Sequence, residues 1–271
     1  MGPLHDTRIV VPESRELNLF AAMLGRHGAH VVRCPLVRVR DLEDTTELDA
    51  WIQRLVEGRH DDIVFYTGEG VARIWSAADR LGLQPAVSEA LAKTRKIARG
   101  PKPVAALRKL GLDVDAVTDE PTTAGLLALL PTLSLEGRRV GVQLYPQNDG
   151  GELRETLERL GAACDPVLPY QYAADETDEH VAQVIREMAA GRVDLIAFTS
   201  TPQVRRLGEV AQRMGLTAEL ARAFQETRIA AVGPLAAEAV GKAGGRADIQ
   251  PASNFHLKPL VAEIVRTIGR T

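Results

Sequence analysis

Hydroxyl-bearing and basic side chains recur in short turns that follow apolar runs. They are Ser14 and Arg15 in PESRE, Thr67 in TGEG, Arg99 and Lys102 in RGPK, Thr122 and Thr123 in DEPTTAG, Thr199 and Ser200 in TSTPQ, and Ser253 and Asn254 in PASNF. In doubly wound sheets such turns lie at the carboxyl ends of strands, where helix N-termini offer unpaired backbone amides. Amides, hydroxyls and basic groups together suit carboxylates or phosphates. Each hydroxyl taken singly also fits a plain helix cap, which satisfies one of the first free amides of a helix.

Other chemistries find less support. GEGVAR at 68–73 has the setting of a dinucleotide fingerprint, but Arg73 holds the third glycine position and no ribose-binding acid follows at the right distance. A tight strand-to-helix turn is expected there. No GxxxxGK[ST] occurs, and Ser200 lies outside any GxSxG. The six histidines form no HExxH, and His30 lies beyond the helix end at Gly28, so no metal site is expected. Cys34 and Cys164 sit in no CxxC or Cys/His spacing and read as idle or buried thiols.

The elements that would position these turns follow from the apolar pattern. RIVVP at 8–12, DIVFYT at 62–67, KIARG at 96–100, RRVGVQL at 138–144, DLIAFTS at 194–200 and RIAAVG at 228–233 are continuous strand-length runs, each followed by a helical pattern. Continuous rather than alternating polarity is expected of strands covered by helices on both faces of a parallel sheet, so the fold class is α/β with right-handed crossovers. ADETDEHVAQVIREMAAG near 175–190 reads as an exposed amphipathic helix capped by Thr177.

At 271 residues two modest domains are favoured over one large core. Hydrophobic residues make up 45% and charged ones 25%, which excludes wholesale disorder, collagen or a coiled-coil rod. A net charge of −3 gives no global basic field, so neither nucleic acid nor an anionic membrane is an expected partner. No apolar run approaches the ~18 residues that span a bilayer, and the N-terminus lacks a signal-peptide pattern, so a cytoplasmic location is expected.

One internal signal is stronger than the rest. Val71 and Val204, Gly82 and Gly215, Gly100 and Gly233, Pro101 and Pro234, and Gly28 and Gly161 all stand 133 residues apart. A period this long is no solenoid and reads as two copies of one α/β domain. After each Gly-Ala comes an extended stretch, HVVRCPLVRVR and CDPVLPYQYAAD, whose prolines forbid a helix but allow an edge strand or a bridge, and these two are the natural interdomain linkers. The expected division is residues 1–35 plus 172–271 as a discontinuous first domain and 38–169 as the second. Linker strands at 34–39 and 166–172 would pair with each other.

The order of these motifs resembles the uroporphyrinogen-III synthase family across almost the whole chain. The resemblance rests on PESRELNLFAAMLGRHGAHVVRCPLVRV, on VFYTGEGVARI and IAFTSTPQVRRL, on IARGPKPVAALRKLGL and IAAVGPLAAEAVGKAG, and on GRRVGVQ, GGELRETLERLGA and VLPYQY in their order. It implies two flavodoxin-like parallel-sheet domains and a two-stranded linker. It further implies cyclisation of linear hydroxymethylbilane with inversion of the last pyrrole ring and loss of water, in tetrapyrrole (haem) biosynthesis. The partner is then a small-molecule polycarboxylate, with no cofactor, no metal and a monomeric chain. Tyr170 in PYQY matches the family's tyrosine thought to help the hydroxyl depart, with Tyr172 as a rival. Thr199 and Ser200 match a ligand-contacting turn, and Arg15, Thr67, Arg99, Lys102, Thr122 and Ser253 complete the expected substrate-binding set. Pro103 and Ala236 stand where the family has a threonine, and Gly68 where it has a serine. These departures fit a divergent synthase or a non-catalytic tetrapyrrole-binding or regulatory paralogue of the same fold. A two-domain binder of another small anion is a weaker third reading.

Overall fold

The apolar runs become strands buried on both faces. A computed structural model describes residues 2–146 and 148–269. The chain begins with β1 (Arg8–Val11), α1 (Leu17–Arg26), β2 (His30–Arg33) and β3 (Val37–Arg40). It continues with α2 (Thr46–Val56), β4 (Asp62–Phe65), α3 (Gly68–Arg80), α4 (Gln84–Lys93), β5 (Arg95–Ala98) and α5 (Pro101–Lys109). Next come β6 (Ala116–Val117), α6 (Thr123–Leu129), β7 (Arg139–Gln143), α7 (Gly151–Arg159), β8 (Ala163–Val167) and β9 (Gln171–Ala174). The last third holds α8 (Asp178–Ala189), β10 (Leu195–Phe198), α9 (Thr201–Arg213), α10 (Thr217–Glu226), β11 (Arg228–Ala231), α11 (Pro234–Lys242) and α12 (Leu257–Ile268).

Two compact units result, residues 1–38 with 173–271 as unit 1 and residues 39–172 as unit 2. Unit 1 carries a parallel sheet in the order β11-β10-β1-β2, extended beyond β11 by a parallel bridge between Ala230 and Ile249. Unit 2 carries β6-β5-β4-β7-β8, also parallel, with Val64 opposite Ile97 and Val142. The two orders are one flavodoxin-like order entered at different points. With β4, β5 and β8 laid on β10, β11 and β2 at the 133-residue offset, unit 2 is a circular permutation of unit 1.

Alternation of side chains along each strand feeds two cores per unit. In unit 1, Val10, Ile196, Phe198 and Ile229 pack with α8, α9 and α10 through Ile185, Leu207 and Ala223. Ile9, Val11 and Leu195 pack on the other face with Phe20 and Leu24 of α1 and Leu260 and Ile264 of α12. In unit 2, Ile63 and Phe65 meet Trp51, Ile52 and Ile74, while Val64 and Val142 meet Leu126, Leu153 and Leu157. Gly82 (φ 69°) and Gly215 (φ 67°) turn the chain out of α3 and α9 in the left-handed region that a side chain disfavours.

Each proline-bearing stretch holds two strands. The first half is an edge strand of a unit's own sheet, β2 or β8, and the second half is β3 or β9, which form a two-stranded sheet of their own. Pro166 lies within β8 opposite Val142, which an edge strand tolerates because the outer side needs no N–H. At the amino ends of the unit 2 strands, the fully buried Asp62 carboxylate pairs with Arg95 and Arg138. Buried His60 meets Asp165 at 2.7 Å, which also holds Arg54 at 2.8 Å. Both cysteines are free thiols, burial pushing Cys34 up to about 12 and Cys164 up to about 11. Among the described residues, no helix is long and apolar enough to cross a membrane, and no group of three or more His, Cys, Asp or Glu could hold a metal ion.

Candidate functional site

In unit 2 the carboxyl ends of three adjacent strands carry the chemistry: Tyr66 and Thr67 after β4, Arg99 after β5, and Tyr145 just past β7. Thr67 is the N-cap of α3, its extended backbone leaving Oγ1 free to accept from the Gly70 N–H at 2.9 Å. Its own N–H donates to Gln143 Oε1 at 3.0 Å, and its hydroxyl lies 3.2 Å from the Tyr170 hydroxyl. Tyr170, between β8 and β9, is buried and meets the Tyr172 ring edge-on with centroids 5.8 Å apart. Burial pushes its phenol well above the usual range, which keeps the hydroxyl neutral.

The glycines of GEG have a packing reason rather than a phosphate one. A Cβ at Gly70 would stand 2.0 Å from Gln143 Cδ, and one at Gly68 would stand 2.8 Å from the Lys102 carbonyl oxygen. The tight turn expected there is what forms. A side chain at Gly68 would therefore press on the backbone of α5. Arg99 sets its guanidinium in a notch between two rings, 5.1 Å from the Tyr66 centroid and 4.9 Å from that of Tyr145. Lys102 is exposed on the first turn of α5. Thr122 caps α6, accepting from the Gly125 N–H at 3.0 Å.

Unit 1 answers the same positions differently. Thr199 and Ser200 stand at the carboxyl end of β10, but Glu13 occupies the turn with them. Its carboxylate accepts from the backbone N–H groups of Arg15 (3.0 Å) and Glu16 (3.3 Å), from the Thr199 hydroxyl, and from Gln203 Nε2 at 3.2 Å. Gln203 reaches back to the Thr199 N–H at 2.8 Å and the Ser200 N–H at 3.3 Å. The amides and hydroxyl expected to greet an outside carboxylate here already hold an internal one. The Arg15 side chain is exposed beside this turn, and Ser253 is exposed in the segment before α12, where Asn254 adopts a left-handed φ of 57°.

Four residues of these turns escape a reading of turn composition alone: Glu13, Tyr66, Gln143 and Tyr145. Gln203 carried a usable signal, since Ser200 followed three residues later by glutamine is a capping-box spacing. The α5 turn is also short of donors. Pro101 and Pro103, at the first and third positions of the helix, have no N–H to offer.

The order of these turns on two parallel sheets agrees with one family across the chain. A family model described as uroporphyrinogen-III synthase HemD (HEM4) matches residues 18–262. The chain belongs to the uroporphyrinogen-III synthase family. An uncharacterized protein of Bacillus subtilis (strain 168), YjjA, is 31% identical over 238 residues, 88% of this chain and 87% of that protein. The crystal structure of a mutant uroporphyrinogen III synthase from the extremely thermophilic bacterium Thermus thermophilus superposes with a TM-score of 0.76 at 25% identity, covering 96% of this chain and 98% of that one. Uroporphyrinogen-III synthetase from Helicobacter pylori 26695, at 13% identity and a TM-score of 0.54 over 96% and 99% of the two chains, shares the fold.

Proposed function

We propose that this protein is a uroporphyrinogen-III synthase, a cyclising hydro-lyase of haem biosynthesis acting on linear hydroxymethylbilane without a cofactor. The observation that carries the reading is the Tyr170 hydroxyl beside the capped Thr67, at the strand ends of unit 2, in a chain of this family. A neutral phenol there donates a hydrogen bond to the departing hydroxyl of the substrate, which leaves with a proton as water. The electrophilic methylene-pyrrolenine that remains is attacked by the last ring through its substituted carbon. The resulting spiro intermediate fragments, recloses at the free position and loses a proton. No redox step is needed, so the protein's contribution is positioning and fixed dipoles. Burial that raises the Tyr170 phenol favours hydrogen-bond donation over full ionisation.

A second reading is favoured by a specific observation. The prolines of α5 and the internal carboxylate of Glu13 remove backbone donors from both units' turns. A non-catalytic tetrapyrrole-binding paralogue would tolerate that loss. The deciding experiment supplies freshly generated hydroxymethylbilane to the purified protein and separates the oxidised type I and type III uroporphyrins by chromatography. Predominantly type III product is expected. Type I product at the rate seen without protein would overturn the synthase reading and leave the paralogue.

A further inference from the structure

Arg99 is an unusual cation. Its guanidinium makes no hydrogen bond or ion pair among the described residues, yet it is held in place by the faces of Tyr66 and Tyr145, whose rings lie 5.6 Å apart and tilted by 55°. Elsewhere in unit 2, guanidinium groups such as those of Arg54, Arg73, Arg95 and Arg139 are engaged with carboxylates. Two aromatic faces fix the orientation of a guanidinium while leaving its N–H edges unused, so the cost of ordering the side chain is met before any ligand arrives. Its main chain is fixed too, because the Arg99 N–H donates to Phe65 O at 3.0 Å and the Arg99 carbonyl accepts from Thr118 Oγ1 at 2.9 Å. The Tyr66 hydroxyl is buried without a hydrogen-bond partner, the Thr123 side chain standing near it without closing one. The ring that bears this hydroxyl is one wall of the notch that orients the Arg99 cation.

We infer that Arg99, walled by Tyr66 and Tyr145, is the anchor of a carboxylate-binding subsite at the strand ends of unit 2. The fork of a guanidinium matches the two coplanar oxygens of a carboxylate. A tetrahedral phosphate would instead call on several helix amides, and Pro101 and Pro103 withhold two of the first three of α5. Ring faces beside the fork suit a carboxylate borne on a flat heteroaromatic ring. That last point rests on the proposed substrate, whose pyrroles carry acetate and propionate arms; the subsite itself does not.

The test uses the full-length protein and two probes. In the first arm, the Arg99 Nε–Hε resonance, assigned by its loss in Arg99→Gln, is followed through acetate and inorganic phosphate titrations at constant ionic strength. A saturable shift with acetate, larger than with phosphate, is expected. No shift, or a larger one with phosphate, overturns the carboxylate subsite. In the second arm, uroporphyrin III, a stable octacarboxylate, is titrated by fluorescence anisotropy. Arg99→Gln is expected to weaken its binding about tenfold, Arg99→Lys to recover only part of this, and Tyr145→Leu to weaken it about threefold. Binding of Arg99→Gln within twofold of wild type overturns the inference. A saturable acetate shift in a protein that binds no porphyrin keeps the subsite and removes the tetrapyrrole reading, so the two failures are distinguishable.

Discussion

Thr67→Val tests whether one hydroxyl holds both the start of α3 and the Tyr170 side chain. The substitution keeps the size and the β-branched shape, and the Thr67 backbone (φ −141°, ψ 146°) is extended, so valine introduces no backbone strain. What is lost is the cap to Gly70 N–H, about 1 kcal/mol, and the hydrogen bond with the buried Tyr170, about 1 kcal/mol more. The total is roughly 2 kcal/mol. Both tryptophans of the chain, Trp51 and Trp75, lie in unit 2, so their fluorescence in a urea titration reports the unfolding of that unit. Completing the cycle with Tyr170→Phe and the double variant should return a coupling of about 1 kcal/mol, because the second loss costs less once the first partner is gone. Additive losses, or a Thr67→Val cost no larger than the cap alone, would refute the placement of Tyr170 against Thr67.

Tyr170→Phe should lower the rate of type III product formation roughly ten- to hundredfold, the worth of one positioned donor, with far-ultraviolet circular dichroism unchanged; unaltered turnover removes Tyr170 from the reaction. Gly68→Ser should cost about 1–3 kcal/mol in the same urea assay, since its Cβ meets the Lys102 carbonyl; a neutral outcome would mean that α5 yields freely. His60 titrates below its ordinary value of about 6.5 because burial disfavours the imidazolium, the hydrogen bond to Asp165 offsetting this in part. The unfolded chain therefore takes up the proton first as pH falls, and this contribution to stability, complete above about pH 6.5, declines below it. His60→Gln should flatten the drop in urea midpoint between pH 7.5 and 5.5, and an unchanged slope would show that other groups set it.

The sequence was legible where one residue type meets one local demand. The 133-residue offset survives because α3 and α9, α4 and α10, β5 and β11, and α5 and α11 each begin and end at equivalent positions. Thr67, Thr122 and Thr177 do cap helices, each accepting a backbone N–H three residues on. What stayed hidden depends on sheet order. Tyr66, Arg99 and Tyr145 are neighbours only because β5, β4 and β7 run side by side, and Glu13 finds Thr199 only because β1 pairs with β10. A proline excludes a helix equally well in a sheet edge and in a bridge, so composition alone leaves both open for the two extended stretches.

The insertion of unit 2 within unit 1 fixes an order of events during synthesis. All contacts of residues 39–172 with one another are available as soon as that stretch has left the ribosome, whereas Ile9 must wait for Leu195 to complete its sheet. Until then β1, α1 and β2 emerge as an orphaned amino-terminal unit of apolar strands with one neighbour missing, the kind of exposed edge that recruits chaperones or aggregates. Loop closure across the inserted unit is shortened once that unit has collapsed, since a folded insert holds its ends at a fixed separation instead of leaving a long free coil. Variants that slow the collapse of unit 2 should therefore lower the yield of the whole chain even when the final stability is unchanged.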